Sequence, residues 1–206
     1  MIDELGFDEL GRPCKELYIM DLCFHVRKRS IDKSSKCGCV VVDDSGSILS
    51  TGYNNPVRGF PDHKAPQERP LKYSVFEHAE RNAIYNAARK GIPLEGSTFY
   101  VTGLPCAANC LRGIIQVGAK EIVYGPYSAK MTDDNIKGEI DDYLLKMEGQ
   151  SLKLTKFQYM DGLLKMNPEL ADELHGRLDI TIFPERQIVP WDKNKLMFSL
   201  LKHMNE

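Results

Sequence analysis

His78-Ala79-Glu80, followed further along by Pro105-Cys106-Ala107-Ala108-Asn109-Cys110, assembles the residue types of a catalytic zinc site. One imidazole and two thiolates supply three ligands and leave the fourth tetrahedral position open, whereas structural zinc takes four protein ligands. An open site of this kind lowers the pKa of a coordinated water from about 15.7 to about 7. Glu80, close to the imidazole but not a ligand, is placed to carry protons. Structural zinc, an inert pair of core cysteines and a redox couple are the competing readings of the two sulfurs; the count of three ligands favours catalysis. On a helix, Cys106 and Cys110 stand at i and i+4, about 5–6 Å apart on one face, so both can reach one ion.

The elements that position these residues follow from local pattern. Ala79, Ala83, Ala87 and Ala88 favour a helix over 78–90, which Gly91 and Pro93 end. Ser97 to Thr102 is β-rich, and Pro105 suits the first position of a second helix over 106–117. Two helix starts facing the metal favour thiolate over thiol. The expected order is helix 15–30, strand 38–44, a turn at Asp44-Ser45-Gly46, strand 47–53, a Pro-rich loop, helix 78–90, strand 97–102, helix 106–117, strand 120–125, helix 133–148 and strand 151–158. That order predicts an α/β chain in three layers, α/β/α, around a mixed sheet of about five strands. Residues 1–158 form the expected domain. Residues 159–206 form a C-terminal extension packed on the core or on an interface, with a strand at Asp179 to Phe183, Trp191 between Pro184 and Pro190, and a helix carrying Leu196, Met197, Leu200 and Leu201.

Beyond the metal motif, Lys72-Tyr73-Ser74-Val75-Phe76-Glu77-His78-Ala79-Glu80-Arg81-Asn82-Ala83-Ile84 resembles the KYxxVxHAExNAI segment of deoxycytidylate (dCMP) deaminases, zinc enzymes that carry an HxE and PCxxC signature. Thr51-Gly52-Tyr53-Asn54 is similar to their TGYN motif, and Arg29-Ser30-Ile31-Asp32 with Val40-Val41-Val42 to the stretch entering their first strand. The resemblance covers about residues 15 to 128 and implies a cytidine-deaminase-like fold. It implies hydrolysis of dCMP to dUMP and ammonia, one zinc ion on His78, Cys106 and Cys110, and Glu80 as the proton carrier. It also implies a sugar-hydroxyl contact at Asn54, a pyrimidine contact at the Ala79 N–H, a place for the leaving amino group near Thr102, and a loop tyrosine at Tyr127. A homo-oligomer responding to dCTP and dTTP, with Mg²⁺ accompanying the regulatory nucleotide, is implied as well. Deamination of another cytosine or purine compound, and a catalytically silent nucleotide-binding protein, are the alternatives. Three departures stand out: three residues rather than two separate the cysteines, Asn55 replaces the Gly of TGYNG, and the loop after Tyr124 is unlike the family's.

A 5′-phosphate calls for a cation, preferably an Arg fork. Arg58, in the loop after Asn54, is the expected donor. Arg89 lies roughly 16 Å from His78 along the same helix and suits a subunit contact or a neighbouring site. A net charge of −2 and a pI near 6.2 disfavour a nucleic-acid partner, which normally meets a basic face. At 42% hydrophobic residues and a mean hydropathy of −0.35, no apolar run approaches the roughly 20 residues of a membrane span. The acidic start MIDELGFDEL is unlike a signal peptide, so a cytoplasmic protein without membrane partners is expected, with Cys14, Cys23, Cys37 and Cys39 reduced. No internal repeat is expected.

Overall fold

The computed structural model describes residues 1–125 and 152–170. Tyr127, the helix expected at 133–148, the strand at 179–183 and the helix around Leu196 lie outside the described residues. In chain order the elements are α1 (Lys15–Val26, continued by a 3₁₀ turn at Arg27–Arg29), β1 (Gly38–Val42), β2 (Ile48–Tyr53), β3 (Asn55–Pro56), α2 (Lys72–Val75), β4 (Phe76–Glu77) and α3 (Ala79–Ala88). There follow β5 (Thr98–Val101), a π turn at Ala107–Leu111 running into α4 (Arg112–Gln116), β6 (Glu121–Tyr124), β7 (Lys153–Lys156) and α5 (Met160–Met166).

The five-stranded sheet has the order β2-β1-β5-β6-β7. β1 runs antiparallel to both neighbours, while β5, β6 and β7 are mutually parallel, so the sheet is mixed as expected. The predicted turn closes the β1–β2 hairpin: Asp43 Oδ1 accepts the N–H groups of Ser45 and Ser47, and Gly46 takes the positive φ of 86°.

Side-chain alternation on β1 builds the layers. Val40 and Val42 point into a core with Leu17, Met20 and Phe24 of α1 and Leu163 and Leu164 of α5. Cys39 and Val41 point the other way, into a core with Ala79, Ala83 and Ala87 of α3, Phe99 and Val101 of β5 and Ile114 of α4. Every residue of β1 is buried, as a strand covered on both faces must be. The helix of residues 160–166, absent from the expected elements, thus packs on α1 and closes one of the two cores.

β2 is an edge strand, and α3 covers it at short range. A Cβ on Gly52 would overlap the Ala79 carbonyl oxygen and the Ala83 nitrogen, so only glycine admits this approach. Asn82 and Asn86 then donate to the Tyr53 and Thr51 carbonyls at 2.8 and 2.9 Å, satisfying edge groups that another strand could otherwise pair with.

The N-terminus holds a repeat that the sequence reading overlooks: Ile2-Asp3-Glu4-Leu5-Gly6 recurs as Phe7-Asp8-Glu9-Leu10-Gly11. Each Asp Oδ1 accepts two backbone N–H groups downstream, at Leu5 and Phe7 and then at Leu10 and Arg12, and each Gly takes a positive φ. Among the described residues, no helix is long and apolar enough to cross a membrane.

Candidate active site

His78 is the N-cap of α3, with extended backbone (φ −77°, ψ 160°) and a ring that makes no capping bond. The ring is therefore free to turn toward the loop after β5. Cys106 occupies the equivalent position before the π turn. There the additional residue between the cysteines is absorbed: the N–H groups of Cys110 and of Leu111 both reach the Cys106 carbonyl, at 3.1 and 3.0 Å, the second being an i to i+5 bond. π turns of this kind recur at functional sites. The expected i, i+4 α-helical pair is thus corrected to a pair across a π turn, with the sulfurs 3.4 Å apart.

His78 Nδ1 lies 3.2 Å from Cys110 Sγ and 3.5 Å from Cys106 Sγ. With Zn–S near 2.3 Å and Zn–N near 2.0–2.1 Å, a tetrahedral zinc site has edges of about 3.6–3.8 Å, so the three atoms stand within a few tenths of an ångström of one tetrahedral face. Among the described residues these are the His, Cys, Asp or Glu side chains that converge, all within 4.8 Å of one another. The donor set fits zinc by geometry and by its soft sulfur and imidazole chemistry.

The electrostatics divide the two thiols, favouring thiolate at Cys106 and thiol at Cys110. The Cys106 thiol is pulled down to about 3, first by its hydrogen bond with Cys110 and, against the cost of burial, by the His78 ring. The Cys110 thiol goes up, since the same bond leaves it holding the proton. The His78 ring is raised, first by its bond to Cys106. Glu80 is 5% exposed, and burial raises its carboxyl despite the nearby His78 charge and its own backbone N–H. A carboxyl so raised holds a proton more readily than an exposed one.

The remaining expected residues divide. Ala79 is fully buried at the first position of α3, where its N–H lies outside the helical ladder, next to His78. Thr102 is fully buried, its N–H bonded to the Gly38 carbonyl at 3.1 Å and its hydroxyl accepting the Gly38 N–H at 3.2 Å. Asn54 is buried with its amide engaged: Oδ1 accepts the Cys37 N–H at 2.7 Å, and Nδ2 donates to Asp32 and to the Ser35 carbonyl at 2.9 and 2.7 Å. Arg58 lines two neighbouring grooves, one of them with Tyr53, Asn55 and Asn82. The β3–β4 ribbon carries it to α3, where it donates to Asn86 Oδ1 at 2.8 Å, two turns and about 12 Å along the axis from His78. There it lines the other groove, of about 370 Å³, with Asn86, Arg89 and Lys90.

With this geometry in view, residues 14–126 match the profile described as the cytidine and deoxycytidylate deaminase zinc-binding region. The chain belongs to this family. It is 34% identical over 113 residues to the deoxycytidylate deaminase of Mus musculus, covering 52% of this chain and 62% of that protein. It is 31% identical over 198 residues to the deoxycytidylate deaminase of Enterobacteria phage T4, covering 77% of this chain and 97% of that one. The family member from cyanophage S-TIM5, a dCMP deaminase solved in complex with dCMP and dUMP, superposes with a TM-score of 0.54 at 27% identity, covering 68% of this chain and 93% of its own. The chain spans less than two thirds of the mouse relative's length.

Asp32 escaped the sequence reading of function, and Lys72, a cation of the loop that could offer a phosphate donor, is instead buried against it. Asp32 and Lys72 belong to the quoted RSxD and KYxxV stretches, and a carboxylate and an amine recurring with the metal motif were the available signal.

Proposed function

We propose that this chain is a zinc-dependent deaminase of a cytosine nucleotide, converting dCMP and water to dUMP and ammonia. The observation that carries the reading is the His78, Cys106 and Cys110 triangle with buried, non-ligating Glu80 on the same helix start. His78, Cys106 and Cys110 would hold the ion, and when bound it supplies the Lewis acidity that makes a water nucleophilic near neutral pH. Glu80 takes the proton that this water gives up and delivers protons to N3 and to the amino nitrogen. A C4–O bond forms, the C4–N bond breaks, and nitrogen leaves as ammonia rather than amide. The free N–H of Ala79 meets the pyrimidine carbonyl, and burial of Thr102 keeps water from the leaving group's side. Asn54 has both amide hydrogens committed inside the protein, so toward a sugar hydroxyl it acts only as an acceptor. The test is ammonia release and product chromatography with dCMP, CMP, dCTP, cytidine, cytosine and guanine. Fastest turnover of dCMP supports the reading, and a preference for a free base or purine replaces it.

The position of Arg58 supports a changed role for it. A groove with Arg58, Arg89 and Lys90 suits the phosphates of a regulatory nucleotide with Mg²⁺, such as dCTP or dTTP, better than the substrate's 5′-phosphate. Tyr85, 43% exposed beside Arg81, and this basic rim support a homo-oligomer, which light scattering checks. Free thiols throughout and a nucleotide substrate support a cytoplasmic setting. Packing of Leu163, Leu164 and Leu170 into the core with α1 supports a deaminase unit that runs past residue 158 to include α5.

A further inference from the structure

Beside the zinc corner lies a second set of buried polar groups that the deamination chemistry does not touch. Asp32, 3% exposed, and Lys72, 7% exposed, meet at 2.6 Å. Lys72 also donates to Ser34 Oγ at 2.5 Å and lies over the Phe76 ring. Asp32 accepts the N–H groups of Ser34 and Ser35 at 2.8 and 3.0 Å, and its other oxygen accepts Asn54 Nδ2. Desolvation offsets much of the attraction in a buried ion pair, so net stability is a weak account of why one is present. What this pair does visibly is join three separate segments: the loop after α1, the end of β2, and the short helix that leads into His78.

The contacts end at the active site. Asn54 holds Cys37 twice, accepting its N–H at 2.7 Å and donating its own N–H to the Cys37 carbonyl at 3.2 Å. The Cys37 side chain packs against the core cluster that holds Ala79 at the start of α3, and its neighbour Gly38 bonds Thr102 through both its N–H and its carbonyl. Burial, and then the Glu80 charge, push the Cys37 thiol up to about 12. Residue 37 thus stands between the ion pair and the start of α3.

We propose that Asp32 and Lys72 are a positioning pair, which through Asn54 fixes Cys37 as the wall of the substrate pocket beside Glu80. This rests on the cytosine-nucleotide reading for its substrate, and on contacts alone for its mechanics. Loosening the pair misplaces the wall without removing any group that reacts.

The test uses the full zinc-loaded chain. Lys72→Met leaves a buried carboxylate unpaired, which endangers folding, whereas Lys72→Met with Asp32→Asn removes both charges at similar volume and keeps the fold. Ser34→Ala, at an exposed residue, is the mild variant. In the double variant the expected result is zinc content and Tm near wild type, KM for dCMP raised at least about tenfold, and kcat within about threefold. A role confined to stability lowers the folded fraction and hence kcat, and leaves KM alone. Alkylation of Cys37 by N-ethylmaleimide, read by peptide mass spectrometry, should quicken at least about tenfold in the double variant and in the same direction in Ser34→Ala. A KM within about twofold of wild type in the folded, zinc-loaded variants overturns the proposal. So does unchanged Cys37 reactivity, and that arm decides the matter even if the wild-type chain releases no ammonia from any nucleotide, an outcome that sinks the substrate reading instead.

Discussion

The two ends of α3 are built from one continuous helical ladder and do opposite things. At its start, Ala79 and Glu80 are buried against β2, and a single carboxyl faces a cluster of sulfur and imidazole donors in a low dielectric. At its far end, Asn86, Arg89 and Lys90 open onto a solvated groove with Arg58, where charges are screened over about 8–10 Å by ordinary salt. The helix itself is the same; what differs is the neighbour. Gly52 lets one end sit directly on the sheet, and the absence of any covering element among the described residues leaves the other end wet. Chemistry requiring shifted protonation suits the buried end, and the phosphate recognition proposed above suits the exposed one.

Breaking the buried end should have the largest effects. Replacing Cys106 and Cys110 together by Ala should abolish zinc binding and turnover and lower Tm, because metal binding contributes folding free energy. Elemental analysis showing full zinc retention would remove the ligand assignment. Glu80→Gln should keep zinc and fold and lose about 10²–10⁴-fold in kcat, the range for one general acid–base group. Near-normal turnover there would give the proton transfer to another residue and dissolve the contrast between the two ends.

A pair of glycine substitutions sharpens the same contrast on stability. Gly52→Ala forces a Cβ into the backbone of α3 and should cost about 3 kcal/mol, with disturbed zinc binding besides. Gly59→Ala beside the groove meets nothing within 4 Å and carries only the penalty of its positive φ of 90°, about 1–2 kcal/mol. Urea midpoints check both, and equal losses would mean that close helix–sheet contact is not what confines the buried end.

Acid should act through the buried network as well. Burial would raise the Asp32 carboxyl, but the bond from Lys72 and the N–H groups of Ser35 and Ser34 outweigh it, so its folded pKa lies below the usual value. A depressed carboxyl contributes stability that is present above the unfolded pKa of about 3.9 and is lost as pH falls through the lower folded value. Melting curves below about pH 4 should therefore fall more steeply for the wild type than for Lys72→Met with Asp32→Asn. Parallel curves would show that the pair titrates no differently in the folded and unfolded chains.

What could be read from sequence was what local pattern determines. The ligands and Glu80 stand in short motifs, the hairpin turn in Asp43 to Ser47, and the three layers in the alternation of β1 and the order of its neighbours. Features needing a distant partner were illegible. The π turn depends on how Cys110 must meet His78 from another helix, and the engagement of Asn54 on Asp32 and Cys37 from a separate loop. Arg58 follows Asn54 closely in sequence, yet it is Asn86 on α3, a distant partner, that holds its guanidinium. The Met160–Met166 helix is stable because Gly162 fits against Leu5 and Leu17, contacts invisible to a periodicity argument.

Arg58→Ala should have the smallest effect on the chemical step and the most telling distribution of effects. Its guanidinium is held by Asn86, two helical turns after His78 on α3, so on the regulatory reading kcat and KM for dCMP should change by less than about threefold, far below the loss at Glu80. If the groove holds a regulatory nucleotide, the response of subsaturating rates to dCTP or dTTP with magnesium should weaken about tenfold or more, the scale of one charge-assisted phosphate contact of about 1.5–3 kcal/mol. The comparison breaks if the variant instead loses dCMP much more than deoxycytidine. That pattern places Arg58 on the substrate phosphate and makes the groove a continuation of the active site, so that α3 would present one extended pocket rather than two.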